Sequence, residues 1–354
     1  MQWLGIDGGG TKTACTLYDD ALAPIDRIVL PTCHYAQAGF DGMRAVLEQG
    51  VRWAEARVAE QRRGTAESSA RTGANADAAT SSGSTNASSA VAATRAANSA
   101  RLTGTAVELG IGFAICGYGE GAEATARIDE LVAGIAGAHP YELVNDVEAA
   151  WAAGLDLADG IAIIAGTGSI ALGACHGEQL RCGGWDYELG DEGSGGWLGK
   201  ELLRAFTRQA DGRDARGALY DLVRRALDLR DDFDIIAFAQ AHYGERGRIA
   251  ALSPLVTQAA QAGDPSALGI LAHAAQEEAD MVRAIVHGLF NPARDAGRPV
   301  PDPIPVTCIG GTFKAGDLIL DPLAAALPRG CQLVAPAREP DLGPVLLLRK
   351  RLGR

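Results

Sequence analysis

Two short apolar runs, each interrupted by a glycine-rich turn and resumed at once, set the pattern of the chain. Trp3, Leu4 and Ile6 lead through Asp7 into Gly8, Gly9, Gly10, Thr11, Lys12 and Thr13, after which Ala14, Cys15, Leu17 and Tyr18 continue the run. About 155 residues later, Ile161, Ile163 and Ile164 lead into Gly166, Thr167, Gly168 and Ser169, and Ile170 and Leu172 follow. Apolar runs of this length bounded by glycine predict strand, tight hairpin, strand. A third strand is expected over 27–30. Met43, Val46, Leu47, Val51 and Ala54 then recur at helical spacing and predict a helix over 42–62. Further strands are expected over 107–114, 141–144, 305–309 and 332–334. Helices are expected over 120–135, from 148 to 155, and over 198–206, 219–226, 235–243 and 249–262. A long amphipathic helix over 266–289 would carry Leu268, Leu271, Ala275, Ala279, Val282, Ile285 and Val286 on one side. A short helix over 342–352 closes the chain.

Each half thus runs hairpin strands, a further strand, then alternating helices and strands. That order predicts a duplicated α/β domain. The expected division is 1–148 and 149–340, with a C-terminal helix in 341–354 that returns to the first lobe. Residues 65–101 break the pattern. They are rich in Ala, Ser, Thr, Asn and Gly, with Val91 as the one large aliphatic residue and no aromatic. Such a stretch buries too little apolar surface to offset its ordering entropy, and is read as a flexible surface-loop insertion, with an alanine-driven helix over 87–100 as the alternative.

Composition narrows the function classes. A length of 354 residues suits two domains. The net charge of −12 argues against a nucleic-acid partner but not against a nucleotide, which needs only local donors. No apolar run reaches the ~18 residues of a membrane span, and no signal core precedes the first strand, so a cytoplasmic protein is expected. The seven cysteines are odd in number and lack C-x-x-C spacing, which fits reduced core thiols better than a disulfide framework or a zinc site. The 266–289 helix could supply the face of a homodimer, or serve as an ordinary core helix.

Chemistry concentrates in five places. Glycines at 8–10 let phosphate oxygens approach backbone N–H groups with no Cβ in the way, and Thr11, Lys12 and Thr13 add donors. The turn is not a Walker A loop, since the second strand follows immediately. Asp7, at the strand end, suits a Mg²⁺ ion held through water. Gly166, Thr167, Gly168 and Ser169 repeat the design; either turn alone reads equally as a plain β-turn, but two matched ones suggest a clamp on a phosphate chain. Asn145 and Asp146 stand where a strand gives way to a helix. Asp146 reads as a general base for a substrate hydroxyl with Asn145 orienting a sugar, or as a helix N-cap. Residues 182–199 combine glycines, acids and two tryptophans. Asp191 with bare backbone at Gly183 and Gly184 suits polyol recognition, Trp185 or Tyr187 could stack on a sugar face, and Trp197 reads as a core plug. Gly310 and Gly311, after a strand, would let a purine lie against backbone.

Together these motifs resemble the superfamily of sugar kinases, heat-shock chaperones and actin. The stretch from Gly183 through Ser194 resembles N-acetylglucosamine kinases and bacterial glucosamine kinases, which are grouped with the activator-type ATPases of CoA-ester reductase systems. The resemblance covers nearly the whole chain outside 65–101. It implies duplicated RNase H-like, actin-like ATPase domains with ATP and sugar in a cleft between them, and γ-phosphoryl transfer to a sugar 6-hydroxyl with Mg²⁺. It implies that Gly8–Thr13 and Gly166–Ser169 cradle phosphates and that Asp146 is the catalytic base. It further implies that Asn145, Gly183, Gly184 and Asp191 contact sugar and that Gly310 and Gly311 border adenosine. One departure stands out: animal-type N-acetylglucosamine kinases carry an asparagine after a threonine beyond the third strand, whereas Thr32 here precedes Cys33. The alternatives are a kinase for another hexose, an activator-type ATPase, or a non-catalytic sugar sensor.

Overall fold

Alternation of apolar and small residues builds two sheets with the same wiring. The computed structural model describes residues 1–72 and 109–354. In the first sheet, β1 (Gln2–Gly8), β2 (Lys12–Tyr18) and β3 (Pro24–Pro31) form an antiparallel meander. β4 (Leu109–Ile115) and β5 (Tyr141–Asn145) then add in parallel beside β1, giving the order β3-β2-β1-β4-β5. In the second sheet, β6 (Gly160–Ala165), β7 (Ser169–Cys175) and β8 (Glu178–Gly183) form the meander. β9 (Ile304–Ile309) and β10 (Cys331–Val334) add in parallel beside β6, giving β8-β7-β6-β9-β10. The two orders are the same sequence of moves, so the duplication read from the hairpins is a duplicated RNase H-like α/β domain.

The chain divides into two compact units, Met1–Asn145 with Pro344–Arg354, and Asp146–Gly343. In the first, the stripe of Met43, Val46, Leu47, Val51 and Ala54 is buried against Leu4, Ile6, Ile111 and Phe113. The C-terminal helix Gly343–Leu352 supplies Pro344 and Val345 to this unit; a Cβ on Gly112 of β4 would lie 2.6 Å from the Val345 nitrogen. Arg351 pairs with Glu142 at 2.9 Å, and Arg349 lies over the Trp3 ring. In the second unit, the helices Gly195–Ala210 and Pro265–Ile285 cover the sheet with Phe206, Leu271, Ala275, Val282 and Ile285.

Several expectations are corrected. The helix expected over 42–62 runs Tyr35–Thr72, with non-helical backbone at Gly39 (φ 67°) that lets two helical pieces join. Residues 65–72 therefore continue a helix, while the rest of the insertion, including the alternative helix over 87–100, lies outside the described residues. The helix expected over 249–262 is two helices, Arg246–Ala250 and Ser253–Gln261; Pro254 has no N–H to continue the first helix by bonding the Ala250 carbonyl and takes the first turn of the second. The 266–289 helix is regular over Pro265–Ile285 and continues as a π-turn, Val286–Phe290. Its stripe is buried except for Leu268, which is exposed. β8 was not expected: an edge strand with mostly polar residues carries no apolar alternation. All seven cysteines are free thiols. Among the described residues, no helix is long and apolar enough to cross a membrane.

Candidate active site

In the first unit, the turn between β1 and β2 is closed by Gly9 N–H donating to the Lys12 carbonyl at 3.1 Å. Thr32 Oγ1 donates to the Gly9 carbonyl at 2.9 Å and pins the turn from the end of β3. Gly8 is packed too tightly for a side chain: a Cβ there would lie 2.5 Å from Cys33 Sγ and 3.1 Å from the Ala114 carbonyl. Cys33 is thus wholly buried beneath the turn. Thr11 and Lys12 are exposed, whereas Thr13 is fully buried with its hydroxyl unpaired, so its side chain does not extend the row of surface donors. Asp7, one residue before the end of β1, and Asn145, the last of β5, lie at the same end of the parallel strands, through the pairs Asp7 to Ala114 and Ile115 to Asn145. Asn145 Nδ2 donates to the Tyr118 carbonyl at 2.8 Å, which orients its amide.

In the second unit, the turn at 166–169 is closed by Gly166 N–H donating to the Gly168 carbonyl at 2.9 Å. The acidic loop after β8 is bonded directly onto it. Ser169 Oγ donates to the Glu192 carbonyl at 2.6 Å, and Ser169 N–H donates to Asp191 Oδ1 at 3.3 Å. Gly195 and Gly196 N–H groups, opening the Gly195–Ala210 helix, donate to the Gly166 and Thr167 carbonyls at 2.7 and 3.1 Å. Ser194 caps that helix by accepting from Trp197 N–H at 3.1 Å. Gly310 backs the turn at φ 129°, where a Cβ would lie 2.3 Å from the Ala165 carbonyl oxygen. The structure therefore brings Gly166, Thr167, Gly168, Ser169, Asp191 and Gly310 into one cluster.

Asp191 is 3% exposed, at a left-handed φ of 59°. Its charge is met by Arg246, whose Nη2 lies 2.9 Å from Asp191 Oδ2, an ionic contact rather than an aligned hydrogen bond. Arg246 Nη1 also donates to Asp186 Oδ1 at 3.0 Å. The guanidinium lies over Gly168: a Cβ there would fall 1.9 Å from Nη2 and 2.5 Å from Asp191 Oδ2. Burial pushes the Asp191 carboxyl above the usual carboxylate range, and Arg246 pulls it back down. Arg246 was missed by reading the sequence, because it sits on a short helix far along the chain and belongs to no motif.

The remaining candidates are placed as follows. Asp146 opens the helix Asp146–Gly154, and its Oδ1 accepts from the Val147 N–H at 3.0 Å. Gly183 and Gly184 turn out of β8 at φ 74° and 70°, packed on Met281 and Ile170. Gly311 follows β9 with open space where a Cβ would be. Trp185 is 72% exposed, while Tyr187 is not available to a sugar: it is buried, its hydroxyl donates to the Tyr243 carbonyl at 2.7 Å, and Lys200 Nζ sits 3.5 Å over its ring. Burial raises its phenol to about 12. Trp197 packs edge-on against His273.

The model for the BadF/BadG/BcrA/BcrD ATPase family matches residues 4–325. The chain belongs to that family. ATP use goes with it. An N-acetyl-D-glucosamine kinase of Dictyostelium discoideum is 25% identical over 98% of this chain and 97% of its own length. An N-acetylmuramic acid/N-acetylglucosamine kinase of Clostridium acetobutylicum is 33% identical over 50% of this chain, and the match spans 59% of that enzyme. A glucosamine kinase of Vibrio cholerae is 28% identical over 42% of this chain and 51% of its own length. The fold is also that of a candidate N-acetylglucosamine kinase from Chromobacterium violaceum, at 23% identity and a TM-score of 0.63 with 98% of both chains covered.

Proposed function

We infer that this family member is an ATP-dependent amino-sugar kinase that transfers the γ-phosphoryl group to the 6-hydroxyl of N-acetylglucosamine or glucosamine. The observation that carries this reading is the bonding of the acidic loop to the glycine turn, Ser169 to Asp191 and Glu192. It couples the element suited to phosphate with the element suited to sugar hydroxyls, and the near full-length likeness to the Dictyostelium enzyme supports it.

In this reading, the backbone at 8–12 and 166–169 receives phosphate oxygens, and Lys12 adds charge. Asp146 takes the proton of the 6-hydroxyl as its oxygen bonds to the γ-phosphorus and the bond from that phosphorus to the β,γ-bridging oxygen breaks, leaving ADP. Asn145, Gly183, Gly184 and Asp191 meet the sugar, and Gly310 and Gly311 border the adenosine. The partly buried Asp7 carboxylate beside the first turn is an oxygen donor suited to a hard cation, and Mg²⁺ held there would neutralise phosphate charge.

The test is ADP release with ATP and Mg²⁺ over a panel of N-acetylglucosamine, glucosamine, N-acetylmuramic acid and glucose, with phosphorus NMR locating the product ester. We expect turnover stimulated by an amino sugar, a 6-phosphate product, and a loss of about 10²–10⁴-fold in kcat for Asp146→Asn. No sugar-stimulated ADP release with any member of the panel would sink the proposal.

A further inference from the structure

At the far end of the β6–β7 strands from the glycine turn, three side chains of different donor type converge. Asp159 precedes β6, Cys175 ends β7, and His176 opens the turn into β8. One ligand-type atom from each lies within 4.8 Å of the other two. The strands separate this cluster from the 166–169 turn by about 20 Å, and the proposed kinase chemistry uses none of the three.

Asp159 and His176 are already oriented. The Asp159 carboxylate accepts from the His176 backbone N–H, at 3.1 Å from each oxygen. His176 Nε2 lies 2.7 Å from the Pro299 carbonyl oxygen. A carbonyl only accepts, so Nε2 carries a proton, and in the neutral ring Nδ1 holds the lone pair. A ring N–H held by a backbone carbonyl is the outer contact that orients a metal-bound imidazole. The nearby Arg298 charge is taken up by Glu178 at 2.7 Å. Cys175 is buried and His176 exposed, so the cluster opens to solvent on one side.

We propose that Asp159, Cys175 and the His176 imidazole bind one divalent ion of the zinc type, with water completing the coordination. A thiolate, an imidazole and a carboxylate form a donor set for zinc or cobalt rather than for magnesium. Donors on tetrahedral zinc stand about 2.0–2.3 Å from the ion, hence within about 4 Å of one another, so the cluster has to contract by less than about 1 Å. Binding forms the sulfur–metal bond and releases the thiol proton to solvent. The ion ties the start of β6, the end of β7 and the segment at Pro299 together, so its effect falls on the stability of the second unit.

Cobalt(II) titrated into the reduced, chelator-stripped full-length protein without nucleotide tests this. We expect a near-ultraviolet thiolate-to-cobalt charge-transfer band that saturates at one equivalent and is bleached by zinc. It should vanish in Cys175→Ser and persist in Cys182→Ser. His176→Asn, a side chain suited to the left-handed φ of 52° at that position, should weaken cobalt binding at least about 10-fold. Absence of the band, its survival in Cys175→Ser, or unchanged cobalt affinity in His176→Asn would each overturn the proposal. Because no readout is phosphoryl transfer, the outcome is independent of the kinase reading.

Discussion

Arg246 does at the residue scale what no motif announces: it holds two carboxylates while covering the second glycine turn. Removing it leaves Asp191 buried without a cation, which costs more than the contact itself contributes. Arg246→Met should lower stability by about 1–3 kcal/mol, and the double variant with Asp191→Asn should cost less than the two single changes together. Urea melts of the four proteins read this cycle, and strict additivity would remove the coupling. Glu278 presents the opposite situation. It is fully buried against Gly193, both its oxygens are unpaired, and burial alone lifts its carboxyl well above the usual range. The folded protein therefore holds this proton at pH values where the unfolded chain has released it. Stability from this group is complete below the ordinary carboxylate range and declines as pH rises through the folded value. Glu278→Gln should flatten the fall in melting temperature between pH 5 and pH 8; parallel curves for the two proteins would contradict it.

The two glycine turns show how element-scale demands differ from residue-scale ones. Gly166 has open space where a Cβ would be, whereas Gly168 has Arg246 and Asp191 there. Gly168→Ala should lower the melting temperature by several degrees, since Asp191 is too buried to step aside, while Gly166→Ala should leave it nearly unchanged. Equal shifts measured by differential scanning fluorimetry would show that the contact over Gly168 is easily displaced. These turns were legible in the sequence because glycine between apolar runs has few structural readings. So were the strand ending at Asn145 and the glycines after β9. What could not be read was anything set by distant packing: Arg246 at the turn, the burial of Tyr187, the polar edge strand β8, and the buried hydroxyl of Thr13. Local pattern carries the period of an element and the chemistry of its turn, but not which far segment will cover it.

At the scale of the whole molecule, the same strand wiring occurs twice, yet the units differ in how the chain closes them. The second is one continuous segment, Asp146–Gly343; the first is completed by Pro344–Arg354. Val345 and Leu348 are fully buried there, and β4 carries Gly112 and not a larger residue where this helix arrives. Deleting 344–354 should therefore damage the distant β1 and β4 more than the nearby β9. Hydrogen exchange would show lost amide protection in β1–β5 with β6–β10 retained, and uniform loss over both sheets would argue against separate stability of the units.

That closure also orders events on the ribosome. Domains of most chains mature from the N-terminus forward, at about 5–20 residues per second of synthesis. Here the first sheet is made early but lacks its last helix until the whole of Asp146–Gly343 has emerged. At those rates the wait is roughly 10–40 s. During it the apolar surface around Gly112 is uncovered, and the later-made unit is complete before the last helix arrives. The half of the molecule synthesised first is the half finished last.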